Sequence, residues 1–216
     1  MELSDTYDKE GVLGKYIPAV GDVALDVGCN HGGWTVPLAS RFRTVYAIDA
    51  QPACLDAIAS LNLRNVVADQ FAAWSNIGRL MFRTNVNKAG EHQGTIAGVD
   101  EFVIADKVIE QYEVPCKPLD LLNIHGRLDF IKMDVDGAEV NAIIGAQELL
   151  RNHKPALVIE THTDEARAFL LIYLRKLGYA PRMIEEFIVP ADPNRWTDRV
   201  MYLYAAGHLY ANGSGE

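Results

Sequence analysis

Cysteine is scarce in this sequence. There are three in 216 residues, Cys29, Cys54 and Cys116, far apart and with no CxxC pair. That spacing argues against a zinc site or a disulfide framework and for reduced, partly buried thiols. No apolar run approaches the roughly 18 residues of a membrane-spanning helix. The opening stretch MELSDTYDKEGV is acidic and lacks the apolar centre of a secretory signal. The expectation is a cytoplasmic protein without a membrane partner. Positive charge is also in short supply, with 20 Lys and Arg against 29 Asp and Glu and a net charge of −9. A sequence-independent nucleic-acid binder needs a basic surface to displace counterions, so nucleic acid is not the expected partner.

What is present reads as one α/β domain. The hydrophobic fraction is 49% and the charged fraction 23%, ordinary for a single globular core. Residues 5–17 are predicted to form a short amphipathic helix, making 1–21 an N-terminal helical segment. The main domain is placed at 22–210, and ANGSGE, 211–216, reads as a disordered tail. Within the domain, apolar strands (DVALDVG, TVYAIDA, NVVADQFAAW) alternate with helical stretches (GGWTVPLASRF, QPACLDAIASLNL). That order implies a parallel sheet with helices on both faces. The rhythm breaks in the middle. GRLMFRTN and YEVPCKPLD look like strands, and between them lies a polar, glycine-bearing segment. Its part around Asn85, Asn87, His92 and Gln93 is expected to be a lid with little regular structure, facing the acceptor. Order returns with LDFIKMDV, a helix over 137–153, PALVIETH and a helix over 164–178. The last two strands, APRMIEEFIV and RVMYLYAA, are joined by a loop too short for a crossover helix, so they are predicted to be antiparallel neighbours.

The sharpest local signal is ALDVGCNHGGW. A strand runs through Asp26 into Gly28, Asn30, His31, Gly32 and Gly33, followed by Trp34 and a helix. A dinucleotide fingerprint wants glycine at 28, 30 and 33, and Asn30 breaks it at the glycine that lets the backbone approach a pyrophosphate, which disfavours an NAD-dependent oxidoreductase. Asp49, followed by Ala50, ends the second strand, where an acid can take both ribose hydroxyls. A turn-forming Asp before a helix is the plainer alternative. Asp69, after the third strand, could accept from an adenine amino group or be a surface acid. Ribose and adenine contacts without a phosphate cradle suit S-adenosylmethionine, whose amino group Asp26 could hold directly or through water.

With those residues in view, the chain resembles the FkbM family of methyltransferases. The resemblance rests on LDVGCNHGGWTVPLA, VYAIDAQP, VPCKPLDLL and DFIKMDVDGAEVNAIIGAQELLRNHKPALVIETH, and covers about residues 22–180. Met133 and Asp136 depart conservatively from the family's usual I-K-I-D-V-E-G-A-E, and Asp49 stands where Glu is usual. The resemblance implies a Rossmann-like class I methyltransferase fold: a seven-stranded, mostly parallel sheet with an antiparallel C-terminal strand. It also implies S-adenosylmethionine-dependent transfer of a methyl group to a hydroxyl of a small molecule or sugar. An RNA ribose 2'-O-methyltransferase and a non-catalytic nucleoside-binding protein are the alternatives.

A hydroxyl acceptor must lose a proton, and the groups for that belong at the C-terminal ends of strands. Side-chain alternation puts Lys132, Asp134 and Asp136 on one face at the end of one strand, with Glu160 and His162 at the end of the next. Asp134 is the first candidate for the base, with His162 beside it and Lys132 as a charged partner. By loose analogy with other small O-methyltransferases, Asp134, Glu160 and His162 could hold a divalent metal such as Mg. Asp136 and Glu139 are read as serving the next helix, Asp136 as its cap and Glu139 against its dipole. The expected cofactor-binding set is Asp26, Gly28, Asn30, His31, Gly32, Trp34, Asp49, Ala50, Asp69 and Asp134; core packing is the plainer alternative for Trp34 and the reading for Trp74, and Trp196 has no assigned role.

Overall fold

The structure, a computed structural model, describes residues 14–86, 92–97, 108–184 and 201–207. The predicted 5–17 helix falls mostly outside these. Its described end, Gly14–Tyr16, is a single 3-10 turn. The tail, Asn87 and Trp196 also lie outside.

A seven-stranded sheet forms the centre. Its strands are β1 (Gly21–Val27), β2 (Phe42–Asp49), β3 (Val66–Gln70), β8 (Leu128–Met133), β9 (Ala156–Thr161), β10 (Arg182–Met183) and β11 (Met201–Ala205), in the order β10-β11-β9-β8-β1-β2-β3. The pairs from β9 to β3 are all parallel, whereas β11 runs antiparallel to both β9 and β10. The mostly parallel sheet with an antiparallel C-terminal strand is therefore as expected. Five helices accompany it among the described residues: α1 (Thr35–Ala39), α2 (Pro52–Ser60), α3 (Glu139–Ile144), α4 (Gln147–His153) and α5 (Asp164–Lys176).

Strand alternation sorts the core into two layers. Val23, Leu25 and Val27 of β1 join Ile131, Met133, Leu157 and Ile159 under the layer of α3 to α5. Ala24, Phe130, Ala156 and Val158 point the other way, to Tyr16, Trp34, Leu38 and Tyr204. Trp34 is thus a core residue, 8% exposed.

Two expectations are corrected. The 137–153 helix is two helices, because Gly145 lies against the backbone of Trp74 and Pro118: a Cβ there would come within 2.1 Å of the Trp74 carbonyl oxygen. Asp120 restarts the helix by accepting from the amides of Glu148 and Leu149 at 3.0 and 2.9 Å. The middle segment, read as a largely irregular lid, is mostly strand among its described residues. β4 (Ala72–Ala73), β5 (Gly78–Val86), β6 (His92–Ile96) and β7 (Val108–Lys117) form a second sheet in the order β4-β7-β5-β6. The polar run HQGT hid β6, yet Thr84 and Thr95 are buried beside Phe82 and Ile96. No helix among the described residues is long and apolar enough to cross a membrane.

Candidate functional site

The C-terminal ends of β1, β2, β8 and β9 converge with part of the second sheet on a cavity of about 510 Å³. The turn after β1 forms its first wall. Gly28 has φ +74°, and a Cβ on it would lie 1.7 Å from the Asp134 carbonyl oxygen, so the β1 and β8 ends touch backbone to backbone. Asn30 takes a left-handed φ of +47°, which its short polar side chain tolerates. Its amide donates to Asp49 Oδ2 at 2.9 Å, while Gln51 N donates to Oδ1 at 2.9 Å. Asp49 therefore ties the β1 turn to the β2 end. Burial raises its pKa, and the amides of Gln51 and Asn30 and the charge of Lys132 oppose that. Gly28, Asn30, His31, Asp49 and Ala50 all line the cavity.

Beneath the turn lies a charged pair that does not line the cavity. The β1–β8 register sets Asp26 opposite Lys132, on the face away from Val27 and Met133. Asp26 is fully buried, accepts from Thr35 Oγ1 at 2.6 Å and has Lys132 Nζ 3.5 Å from Oδ1. Lys132, 4% exposed, donates to the Gly28 carbonyl at 2.8 Å and sits 3.8 Å from Asp134 Oδ2. Burial raises the pKa of Asp26, against the pull of Lys132 and Thr35. Burial works to lower Lys132, but Asp26, Asp134 and Glu160 outweigh it and hold the ammonium charged. The lysine thus supports the turn from below instead of facing the cavity with Asp134.

The other predicted residues divide. Asp134 and Glu160 line the cavity with Asp136. His162 sits behind them, its ring 5% exposed. Its Nε2 is 3.3 Å from Asp136 Oδ1 and 3.7 Å from Glu160 Oε1, and its Nδ1 is 2.9 Å from Glu139 Oε1. Gly32, φ +93°, packs against Leu61 and Ile58 away from the cavity. Asp69 lies within β3 rather than after it, and its carboxylate pairs with Lys117 Nζ at 2.8 Å. Asp69 does not contribute to the cavity lining.

Three features escaped the sequence reading. Asp136 is not a helix cap: α3 starts at Glu139 after Ala138, and Asp136 occupies a left-handed turn with φ +43°. Glu139 opens α3 as expected, but it is fully buried and bonded to His162. The signal for it was its place on one helical stripe with the buried Ala142 and Ile143. The far wall, Phe82, Gly94, Thr95 and Ile96, comes from the second sheet, and the side chains of Asn85, His92 and Gln93 lie outside the described residues. Cys54 also lines the cavity, its thiol pushed up to about 12 by burial and by Asp49. All three cysteines are free and buried.

Comparison with known proteins agrees with this architecture. A solved methyltransferase FkbM from Methylobacillus flagellatus is 20% identical, with a TM-score of 0.59 over 86% of this chain, which spans 43% of that protein. An rRNA methylase from Streptococcus thermophilus shares the fold at 13% identity and TM-score 0.53, over 96% of this chain and 98% of that one. A 35-residue stretch, 16% of this chain and 18% of the relative, is 60% identical to a probable cobalt-precorrin-6B C(15)-methyltransferase of Methanothermobacter thermautotrophicus. The sequence profile of the methyltransferase FkbM domain matches residues 26–181, nearly three quarters of the chain, and the protein belongs to that family.

Proposed function

We propose that the protein is an S-adenosylmethionine-dependent methyltransferase acting on a hydroxyl of a small molecule or sugar. The observation that carries this reading is the junction in one cavity of a glycine turn tied to Asp49 with the acids Asp134, Asp136 and Glu160. The first half suits a nucleoside. Asp49 has both oxygens fixed by backbone amides, leaving their remaining lone pairs aimed for ribose hydroxyls. Gly28 lets the β1 turn close against the β8 end, and no Lys or Arg is among the described lining residues, which suits a sulfonium better than a pyrophosphate. The second half suits proton removal from a hydroxyl aligned with the methyl carbon and sulfur. Asp134 is the lining acid next to the turn. Lys132 and Asp26 act on the site by fixing that turn.

Asp134, Glu160 and His162 offer ligand atoms within 4.8 Å of one another, the spacing of a metal set. The chemistry of the donors does not match it. Both ring nitrogens of His162 already face other carboxylates, Nδ1 at 2.9 Å from Glu139 and Nε2 at 3.3 Å from Asp136, and these with Asp134 push its pKa up to about 10 against burial. With Lys132 beside Asp134, two side-chain cations already meet these carboxylates. The residues do not fit a resident divalent cation, and no step is derived through one.

Calorimetry with S-adenosylhomocysteine and with NAD tests the reading. Binding of S-adenosylhomocysteine is expected, weakened about 30-fold or more by Asp49→Ala through loss of a charged bidentate contact worth about 2–3 kcal/mol. Binding of NAD alone would sink it. A screen of sugars and hydroxylated metabolites with labelled cofactor then seeks the acceptor.

A further inference from the structure

The cavity has two unlike halves. Asp134, Asp136 and Glu160 gather at the ends of β8 and β9, whereas the end of β3 and the second sheet present apolar groups. Phe82 of β5 is prominent among these. It shares an apolar cluster with Ile96, opposite it on β6, and with Ala50 and Ala72, the small residues that follow Asp49 and Phe71. Its ring centre lies 5.7 Å from that of Tyr112. Gly94, the diagonal neighbour on β6, makes room for the ring: a Cβ there would lie 2.6 Å from Phe82 Cε1 and 3.4 Å from Gln51 Oε1. The sheet that carries this ring is anchored on both sides of the cavity. On one side Lys117 Nζ pairs with Asp69 at 2.8 Å and lies 4.2 Å from the centre of the Phe71 ring. On the other Thr95 Oγ1 donates to the Asp136 carbonyl at 2.9 Å. The wall is therefore built before any ligand arrives.

We infer that the second sheet is the roof over the cofactor's adenine, and that Phe82, seated over Gly94, is the ring on which the base stacks. The inference rests on the S-adenosylmethionine reading and deepens it, because it makes an element outside the central sheet part of the cofactor site. Strand order says which part of the ligand meets this wall. With the ribose on Asp49 at the end of β2, the sulfur lies toward β1 and β8, where the acids stand. The base, on the other side of the ribose ring, then points toward β3. The Phe71 amide donates to the Asp49 carbonyl at 3.0 Å, so Phe71 and Ala72 adjoin the ribose position. Asp69 is turned to Lys117 and does not line the cavity, so no carboxylate from β3 meets the edge of the base. What that side offers is apolar faces, from Phe71, Ala72, Phe82 and Ile96. A purine presents a broad π face, and stacking on an aromatic ring buries it without needing a polar partner. Because Phe82 is already held in place, little ordering is lost when the base arrives. The acids opposite are left for the acceptor.

The test needs no acceptor. S-adenosylhomocysteine and adenosine are titrated by calorimetry into wild type and into Phe82→Leu, which keeps an apolar side chain and removes the aromatic face. Both should bind the variant about tenfold more weakly, by a common factor, because adenosine keeps the base and ribose and lacks the sulfur and tail. Gly94→Ala drives the ring from its seat, so it should weaken both ligands similarly on the wild-type background and by about threefold or less when added to Phe82→Leu. Wild-type protein with labelled phenylalanine gives a reading that needs no variant to fold. With S-adenosylhomocysteine bound, nuclear Overhauser contacts should join the adenine H2 or H8 to the Phe82 ring. Unchanged S-adenosylhomocysteine affinity in Phe82→Leu, the result expected if the acceptor occupies this wall, overturns the inference. So does a loss for S-adenosylhomocysteine that adenosine does not share, or the absence of any adenine contact to Phe82 in wild type. If wild type binds S-adenosylhomocysteine not at all, the methyl-transfer reading fails and the inference fails with it.

Discussion

Replacing Lys132 with methionine should destabilise the protein in a way that depends on pH. The change keeps the length and apolar stem of the side chain and deletes the ammonium between Asp26 and the Gly28 carbonyl. Asp26 is fully buried and already raised by burial. Without Lys132 burial raises it further, so the folded variant holds this proton more tightly than the unfolded chain, where the group ionises near pH 3.9. The cost of that proton at pH 7 has a ceiling of about 4 kcal/mol, from 1.36 kcal/mol for each of about three pH units. At pH 5 the ceiling is about 1.5 kcal/mol. The lost bond to Gly28 adds about 1 kcal/mol at either pH. The sign follows from proton counting: the folded variant holds a proton the unfolded chain releases, so its stability falls as pH rises above the unfolded value. For a chain of this size each kcal/mol moves Tm by about 2–4 °C, so the variant should melt about 10–20 °C below wild type at pH 7 and about 5–10 °C below at pH 5. Scanning calorimetry of both proteins at the two pH values checks it. Adding Asp26→Asn, which leaves an acceptor for Thr35 Oγ1, should remove most of the pH dependence. A loss under about 1 kcal/mol at pH 7, or equal losses at both pH values, would refute the account of Lys132 as partner to a buried acid.

Two further outcomes follow from the site. Gly28→Ala places a methyl group 1.7 Å from the Asp134 carbonyl at a positive φ, so the β1 and β8 ends must part. S-adenosylhomocysteine affinity should fall more than tenfold by calorimetry, and Gly33→Ala, whose added Cβ meets nothing within 4 Å, should fall far less. Because His162 and Lys132 already compensate the lining acids, EDTA should leave methyl transfer and thermal stability unchanged, and restoration of activity by added Mg after chelation would count against that compensation.

Local chemistry alone determined the central sheet and half of the site. Apolar runs punctuated by glycine and acid mark β1, β2, β8 and β9, and a parallel sheet places their C-terminal ends together whatever else the chain does. That made Gly28, Asn30, Asp49, Asp134 and Glu160 legible as neighbours, and all of them line one cavity. Alternation along a strand says which residues share a face, but not how far each side chain reaches the solvent. Lys132 therefore looked like a partner in the cleft, and only the β1–β8 register, with Asp26 opposite, put it under the turn. The second sheet was half visible, because β6 has no apolar alternation and is recognisable only through its antiparallel pairing with β5. Asp136 and Glu139 were hardest to read. An acid before a helix normally caps it, and nothing local distinguishes that from an acid aimed at a histidine 23 residues further on, for Glu139, across the gap between two adjacent strands. The fold follows from patterns a few residues long. The alignment of Glu139, His162 and Asp136 depends on packing α3 against β9, which no short stretch of sequence contains.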